Sequence, residues 1–193
     1  MRALLVASLL LTACSSDSID SDEQARRAYL GLDPSVEKSI ALGFDGFNAA
    51  SSANIPTQMA PGDLTGTIAI DGQVDQGSSA NKGMRLAVTM VAYSDGPFEI
   101  DADHDKIQVT YDTDTAPALD MMLKNIPTGT LTGTLAGTYH LSGDLGGDVV
   151  LSLTITGALA DGGGGTVIRA AGSTTITGTA TQGDGVYNVN VTL

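Results

Sequence analysis

The sequence predicts a mainly β protein: an antiparallel meander of about nine strands, closed into a barrel, bent into a half-barrel or folded as a sandwich, with one or two N-terminal helices packed on it. Three observations carry this. From Gly62 to the end, apolar residues return at every second position, the period of a strand with one buried face. Between the periodic runs stand "SGDLGGD", "ADGGGG", "AAG" and "QGDG", rich in the residues that tight turns demand. The chain carries 24 glycines, no tryptophan, five tyrosines and three phenylalanines, so strands of Thr and Gly must pack on small aliphatic side chains. That composition is structural more than catalytic.

Residues 23–55 read as a helical segment. Ala25, Ala28, Tyr29 and Leu32 have helical spacing, and Gly31 and Asp33 then interrupt it. A second start follows at once, because Asp33 suits a cap and Pro34 the first helical position. Val36, Ile40, Phe44 and Phe47 continue as one apolar stripe, and the helix is expected to end near Asn54, ahead of Pro56.

The β domain is expected over residues 62–193. Leu64, Gly66, Ile68 and Ile70 alternate with polar or small neighbours, as do Leu86, Val88 and Met90, then Ile107, Val109 and Tyr111. In "TGTLTGTLAGTYHLSGDL" the residues Leu131, Gly133, Leu135, Gly137, Tyr139 and Leu141 face one way, and Thr130, Thr132, Thr134, Thr138 and His140 the other. Val149, Leu151, Leu153 and Ile155 form the next apolar row, and Tyr187, Val189, Val191 and Leu193 the last. Glycines between leucines leave notches on the inner face. A notch takes a bulky neighbour, lets the sheet bend, or leaves room for a ligand, which makes Gly133, Gly137 and Tyr139 the candidate lining of a cavity.

The chain start has its own pattern. Arg2, an apolar run from Ala3 to Leu11 broken only by Ser8, and the small residues Thr12 and Ala13 precede Cys14, the only cysteine. Residues 1–13 therefore read as a signal peptide, too short to span a bilayer. The acidic stretch after Cys14, through residue 22, reads as a solvated tether. The tetrad Leu11, Thr12, Ala13 and Cys14 resembles the lipobox of bacterial lipoproteins. That resemblance implies that the Cys14 sulfur receives a diacylglycerol, that cleavage occurs just before it, and that the domain is anchored to a membrane through lipid. It also implies an outer-membrane address, facing periplasm or cell surface, because Ser15 rather than an aspartate follows the cysteine.

Loss of residues 1–13 removes Arg2 and no acid, so the formal charge of −13 becomes −14. So acidic a surface repels phosphate backbones and argues against nucleic acid as partner. With its one thiol committed to lipid, the chain has no internal disulfide available.

The densest polar cluster is "EIDADHDKIQVTYDTD". Asp101, Asp103 and Asp105 have the spacing with which an EF-hand-type calcium loop opens, and Asp112 stands at the twelfth place. Lys106 occupies the position of the turn glycine and Asp112 that of the bidentate glutamate, so the alternative is an acidic hairpin turn. No other cofactor is expected. His140, Ser142 and Asp144 lie along one strand at steps of about 6.5 Å, too far apart for proton relay. Two histidines without a free thiol make a poor transition-metal set, and Gly162–Gly165 lacks the Lys-Ser or Lys-Thr of a phosphate loop.

"QARRAYLGLD", "LGFDGFNAASSANI", "GQVDQG" and "IPTGTLTGTLAGTYHLSGDLGG" together are similar to a group of Gram-negative envelope lipoproteins. The resemblance spans nearly the whole chain after Cys14. It implies class and location and brings no catalytic residue. The expected function is that of a lipid-anchored envelope protein with a non-enzymatic structural or interaction role toward an envelope protein. The alternative is a carrier holding a lipid or other hydrophobic ligand inside the β domain.

Overall fold

The computed structural model describes residues 21–193. Helix α1 (Ser21–Ala49) comes first, followed by strands β1 (Asn54–Pro61), β2 (Thr65–Val74), β3 (Lys82–Ser94), β4 (Phe98–Glu99), β5 (Lys106–Ile107), β6 (Val109–Asp112), β7 (Ala118–Lys124), β8 (Thr130–Gly143), β9 (Gly147–Gly163), β10 (Thr166–Arg169), β11 (Thr175–Gln182) and β12 (Gly185–Thr192). The class read from the sequence is the class found. Ten strands form one antiparallel sheet, and β4 and β5 form a separate hairpin.

The main path runs β1-β2-β3, then β6 and β7 sharing the place between β3 and β8, then β8-β9-β11-β12. Strand β10 departs from the simple meander by folding back on the far end of β9, where Val167 faces Asp161 and Arg169 faces Leu159. The sheet stays open, with β1 and β12 as its ends. Helix α1 packs against β1 and β2 at one end and against β11 and β12 at the other, so the sheet curls around the helix and the helix fills the seam.

Two expectations about the N-terminal segment are corrected. The chain makes one continuous helix with Pro34 inside it, not two. Proline in a helix interior costs about 3 kcal/mol, but the helix is held along most of its circumference by the sheet. Beside the proline the buried serines are satisfied within the helix: the Ser35 hydroxyl donates to the Leu32 carbonyl and the Ser39 hydroxyl to the Ser35 carbonyl, each at 2.7 Å. Asp33 does not cap a new helix but accepts the Tyr29 hydroxyl at 2.7 Å. The helix also ends at Ala49, and the sheet begins at Asn54 rather than at residue 62. Pro56, which suggested a break, sits with Pro61 in an edge strand with a register shift between Ile55 and Gln58. An edge strand tolerates a missing donor, and a bulged, proline-bearing edge resists pairing with other chains.

The core lies between α1 and the concave face of the sheet. Tyr29, Leu32 and Ile40 of the helix meet Ile68, Ile70, Leu119, Leu123, Leu135 and Tyr139, all at most 1% exposed. Alternation on β8 follows the sequence pattern, with Leu131, Leu135, Tyr139 and Leu141 buried and Thr130, Thr132 and Thr134 exposed. At the far edge the Val186 amide of β12 donates to Asp22 at 2.8 Å; elsewhere Asn48 exchanges two 2.9 Å bonds with the Val167 backbone and ties β10 to the helix. Among the described residues no helix is long and apolar enough to cross a membrane.

Candidate functional site

One stripe of α1 remains open to solvent at the seam. Pro34, Glu37, Ala41 and Asp45 are exposed at steps of three and four residues, the spacing of a single helix face. Two adjoining cavities flank it and share Glu37 and Ala41. One, of about 390 Å³, is walled by Phe44, Ile168, Ala170 and Leu193. The other, of about 620 Å³, is walled by Leu30, Pro97, Phe98 and the turns carrying Asp63 and Asp95.

Charged side chains hold the walls in place. The Lys38 ammonium lies 2.9 Å from Asp95, 3.9 Å from Asp63 and 5.1 Å from the centroid of the Tyr93 ring. Asp95 also accepts the Tyr93 hydroxyl at 2.5 Å and the Asp63 amide at 3.0 Å. Burial works to raise the Asp95 carboxyl. The donors from Tyr93, the Asp63 backbone and Lys38 outweigh it and leave the group below the usual carboxylate range. Burial pushes the Tyr93 phenol up, and its bond to Asp95 adds to that. Tyr93 is thus a protonated donor and Lys38 a neutralised cation, an arrangement that positions loops and offers no activated nucleophile. Across the stripe, Arg169 of β10 pairs with Glu37 at 2.9 Å.

At the N-terminal end of the helix, Glu23 takes bonds from Arg26 at 2.6 Å and Arg27 at 2.8 Å. Hydrogen bonding from Arg26 is the main cause that brings the Glu23 carboxyl down to about 2, against the opposing effect of burial. Arg26 also donates to the Ile100 carbonyl, fastening the β4–β5 hairpin to the helix.

The sequence-based candidates fall elsewhere. Cys14, the signal peptide and nearly all of the tether lie outside the described residues. Gly133 and Gly137 are notches on β8, but neighbours stand in the space. A Cβ at Gly133 would come 2.5 Å from the Asp120 carbonyl and 3.2 Å from the Met121 side chain, and one at Gly137 would come 2.6 Å from Pro117. Tyr139 is 1% exposed and part of the core. The grooves that Gly133 and Gly137 do border lie on the outer face of the sheet, beside Asp120 and Met122 in one case and Asp114 and His140 in the other.

Asp101, Asp103 and Asp105 form the β4–β5 turn. The Asp101 carboxylate is turned inward to accept the amides of Asp103 and Asp105, each at 3.1 Å. Asp112 points away toward β3 and accepts the Ala92 amide at 2.7 Å. The turn is thus held by the Asp101 carboxylate on backbone amides of the same turn. Among the described residues no group of three or more His, Cys, Asp or Glu side chains is arranged to hold a metal ion.

His140 is not directed at Ser142 or Asp144. It bridges two other acids, with Nδ1 at 2.5 Å from Asp148 and Nε2 at 3.2 Å from Asp114, while Asp144 accepts the Gln108 amide. Its bond to Asp148 is the main cause that raises its pKa, with Asp114 and Asp112 adding to it. A histidine pKa raised on folding contributes stability that is complete below the unfolded value of about 6.5 and is lost as pH rises through the folded value. Proton NMR of the His140 ring should therefore show a midpoint above 6.5, and Asp148→Asn should bring it back down. A midpoint unmoved by that substitution would contradict the bridge.

The seam residues are not visible as a site in the sequence. One signal is there: Lys38 is the single cation between Arg27 and Lys82. Its partners come from turns some 25 and 57 residues later, and no local spacing announces them. The chain matches no protein-family model, no curated protein and no solved structure.

Proposed function

We propose that this chain is an envelope protein held on the outer membrane by lipid on Cys14, and that its β domain has a non-enzymatic interaction role. The observation that carries the proposal is the position of the only cysteine, behind a cationic end, an apolar run and two small residues. Two acyl chains or more, at about 0.8 kcal/mol per buried methylene, suffice for stable anchoring where one does not. The acidic stretch between Cys14 and the start of α1 gives the domain distance from the bilayer, and the net charge keeps its surface off anionic headgroups.

The packed interior favours interaction over carriage. A carrier needs an enclosed apolar chamber of about 300 Å³ or more, whereas here the inner face of the sheet is met by Tyr29, Leu32, Ile40 and Phe44 of the helix, and the two seam cavities are open to solvent along Glu37 and Ala41. The anchor is tested by Cys14→Ser. In cells fed radiolabelled palmitate, the wild-type chain should take up label and sediment with outer membranes, while the variant should lose label and become extractable by salt. Sedimentation of an unlabelled variant with the membrane would overturn the lipid reading.

A further inference from the structure

We infer that the seam groove is a docking site for an extended, basic and partly apolar segment of another protein, an inference that specifies the interaction role proposed above. Shape comes first. The exposed stripe from Pro34 to Asp45 covers eleven helical steps, about 17 Å, the reach of roughly five residues of extended chain. Both flanking cavities open along this stripe and meet at Glu37 and Ala41. No side chain larger than a methyl stands at Ala41 to divide them.

The lining then selects the occupant. Ala41, Phe44, Ile168 and Leu193 offer apolar contact on one side, and Leu30 and Phe98 on the other. Ile168, next to the buried Val167 on β10, is 44% exposed where it borders the groove, so apolar area is left without cover. Four acids and two bases border the groove. Both bases are already paired, Lys38 with Asp95 and Arg169 with Glu37. Lys38 also reaches the largely exposed Asp63, at 3.9 Å, so one cation is shared by two acids and the four acids keep an excess charge of −2 over a surface that is otherwise apolar. A cationic side chain between apolar ones is complementary to that lining, and an acidic one is repelled.

A second copy of this chain is a poor occupant. Most of its bases are engaged: Arg26 and Arg27 by Glu23, Arg85 by Asp75, Lys106 by Glu99. With 22 acids against nine bases, two copies repel. The groove therefore calls for a partner of opposite charge.

The test uses the full chain carrying Cys14→Ser, so its result does not depend on the lipid anchor. Two fluorescent hexapeptides serve as probes, one alternating lysine and leucine, the other glutamate and leucine. The basic peptide should bind by anisotropy and the acidic one should not. Ala41→Trp, a change at an exposed position that fills the junction of the cavities, should weaken binding about tenfold or more. Asp45→Asn with Asp63→Asn, which leaves the packing alone, should weaken it about threefold per charge. Amide shifts should cluster at Ala41, Ile168 and Leu193. Absence of binding, equal binding of both peptides, binding indifferent to Ala41→Trp in a folded variant, or shifts centred on the Asp101–Asp105 turn would each overturn the inference.

Discussion

Gly31→Val is expected to destabilise the domain by about 3 kcal/mol, the upper end of what overpacking costs, although valine is the better helix former. On helix propensity alone the change should stabilise by roughly a few tenths of a kcal/mol, and alanine at the same place by about 1 kcal/mol. Packing reverses the sign. A Cβ at residue 31 would stand 2.1 Å from the Tyr111 hydroxyl and 2.5 Å from the Phe98 ring. Neither neighbour has a simple way out. Tyr111 is 2% exposed and donates to the Ala28 carbonyl at 3.1 Å, while Phe98 belongs to the hairpin that Arg26 fastens to the same helix. Urea denaturation of the wild type and of Gly31→Ala and Gly31→Val should give stabilities falling in that order.

A double substitution makes the argument specific. Tyr111→Phe alone removes one hydrogen bond, a loss of about 1 kcal/mol. In the Gly31→Ala background the same change also removes the atom nearest the new methyl, so it should cost less there and could reverse sign. Equal costs in both backgrounds would show that Tyr111 and residue 31 do not touch. A Gly31→Ala variant more stable than the wild type would mean that helix propensity prevails and that the helix–hairpin contact is looser than described.

Gly31 also shows why the sequence misleads about the helical segment. Glycine, aspartate and proline at residues 31, 33 and 34 are the strongest local marks of a helix boundary, and as local marks they are sound. The reason for Gly31 is a close approach by Phe98 and Tyr111, residues 67 and 80 places further on, which no window of sequence contains. The strands are legible for the opposite reason. Period-two alternation is imposed by a sheet with one wet face, and it stands in the sequence of β2, β3, β8, β9 and β12; the bulged, proline-bearing β1 breaks it. Short β4, β5 and β10 lack the length to show it. Likewise, the acids from Asp101 to Asp112 have the spacing of a calcium loop, yet spacing along the chain does not say where a carboxylate turns. Asp101 spends its oxygen on backbone amides of its own turn, and Asp112 on the amide of Ala92. The seam is illegible because a groove between distant elements has no sequence signature beyond the unexplained Lys38.

Tyr139→Ala is expected to cost about 3–5 kcal/mol, the range for truncating a large aromatic in a close-packed core. The size of the loss measures how the notches of β8 are used. A side chain bordering open space has few contacts on that side, and its removal forfeits little beyond the transfer of its own surface from water. One enclosed on all sides leaves a void whose walls lose their partners as well. Tyr139 is 1% exposed, pairs across the sheet with Val149, which is 0% exposed, and lies between Gly137, backed by Pro117, and Leu141. The full cavity cost should therefore appear in denaturant unfolding, with an unchanged dependence on urea concentration. Thr134→Ala, on the same strand but on the outer face, should stay within about 0.5 kcal/mol of the wild type. A loss of only about 1–2 kcal/mol at Tyr139 would mean that space already exists beside it, as a carrier requires. Should truncation instead allow the protein to bind a small apolar probe that the wild type excludes, the chamber would be one made by the substitution, and the native fold would be the packed one.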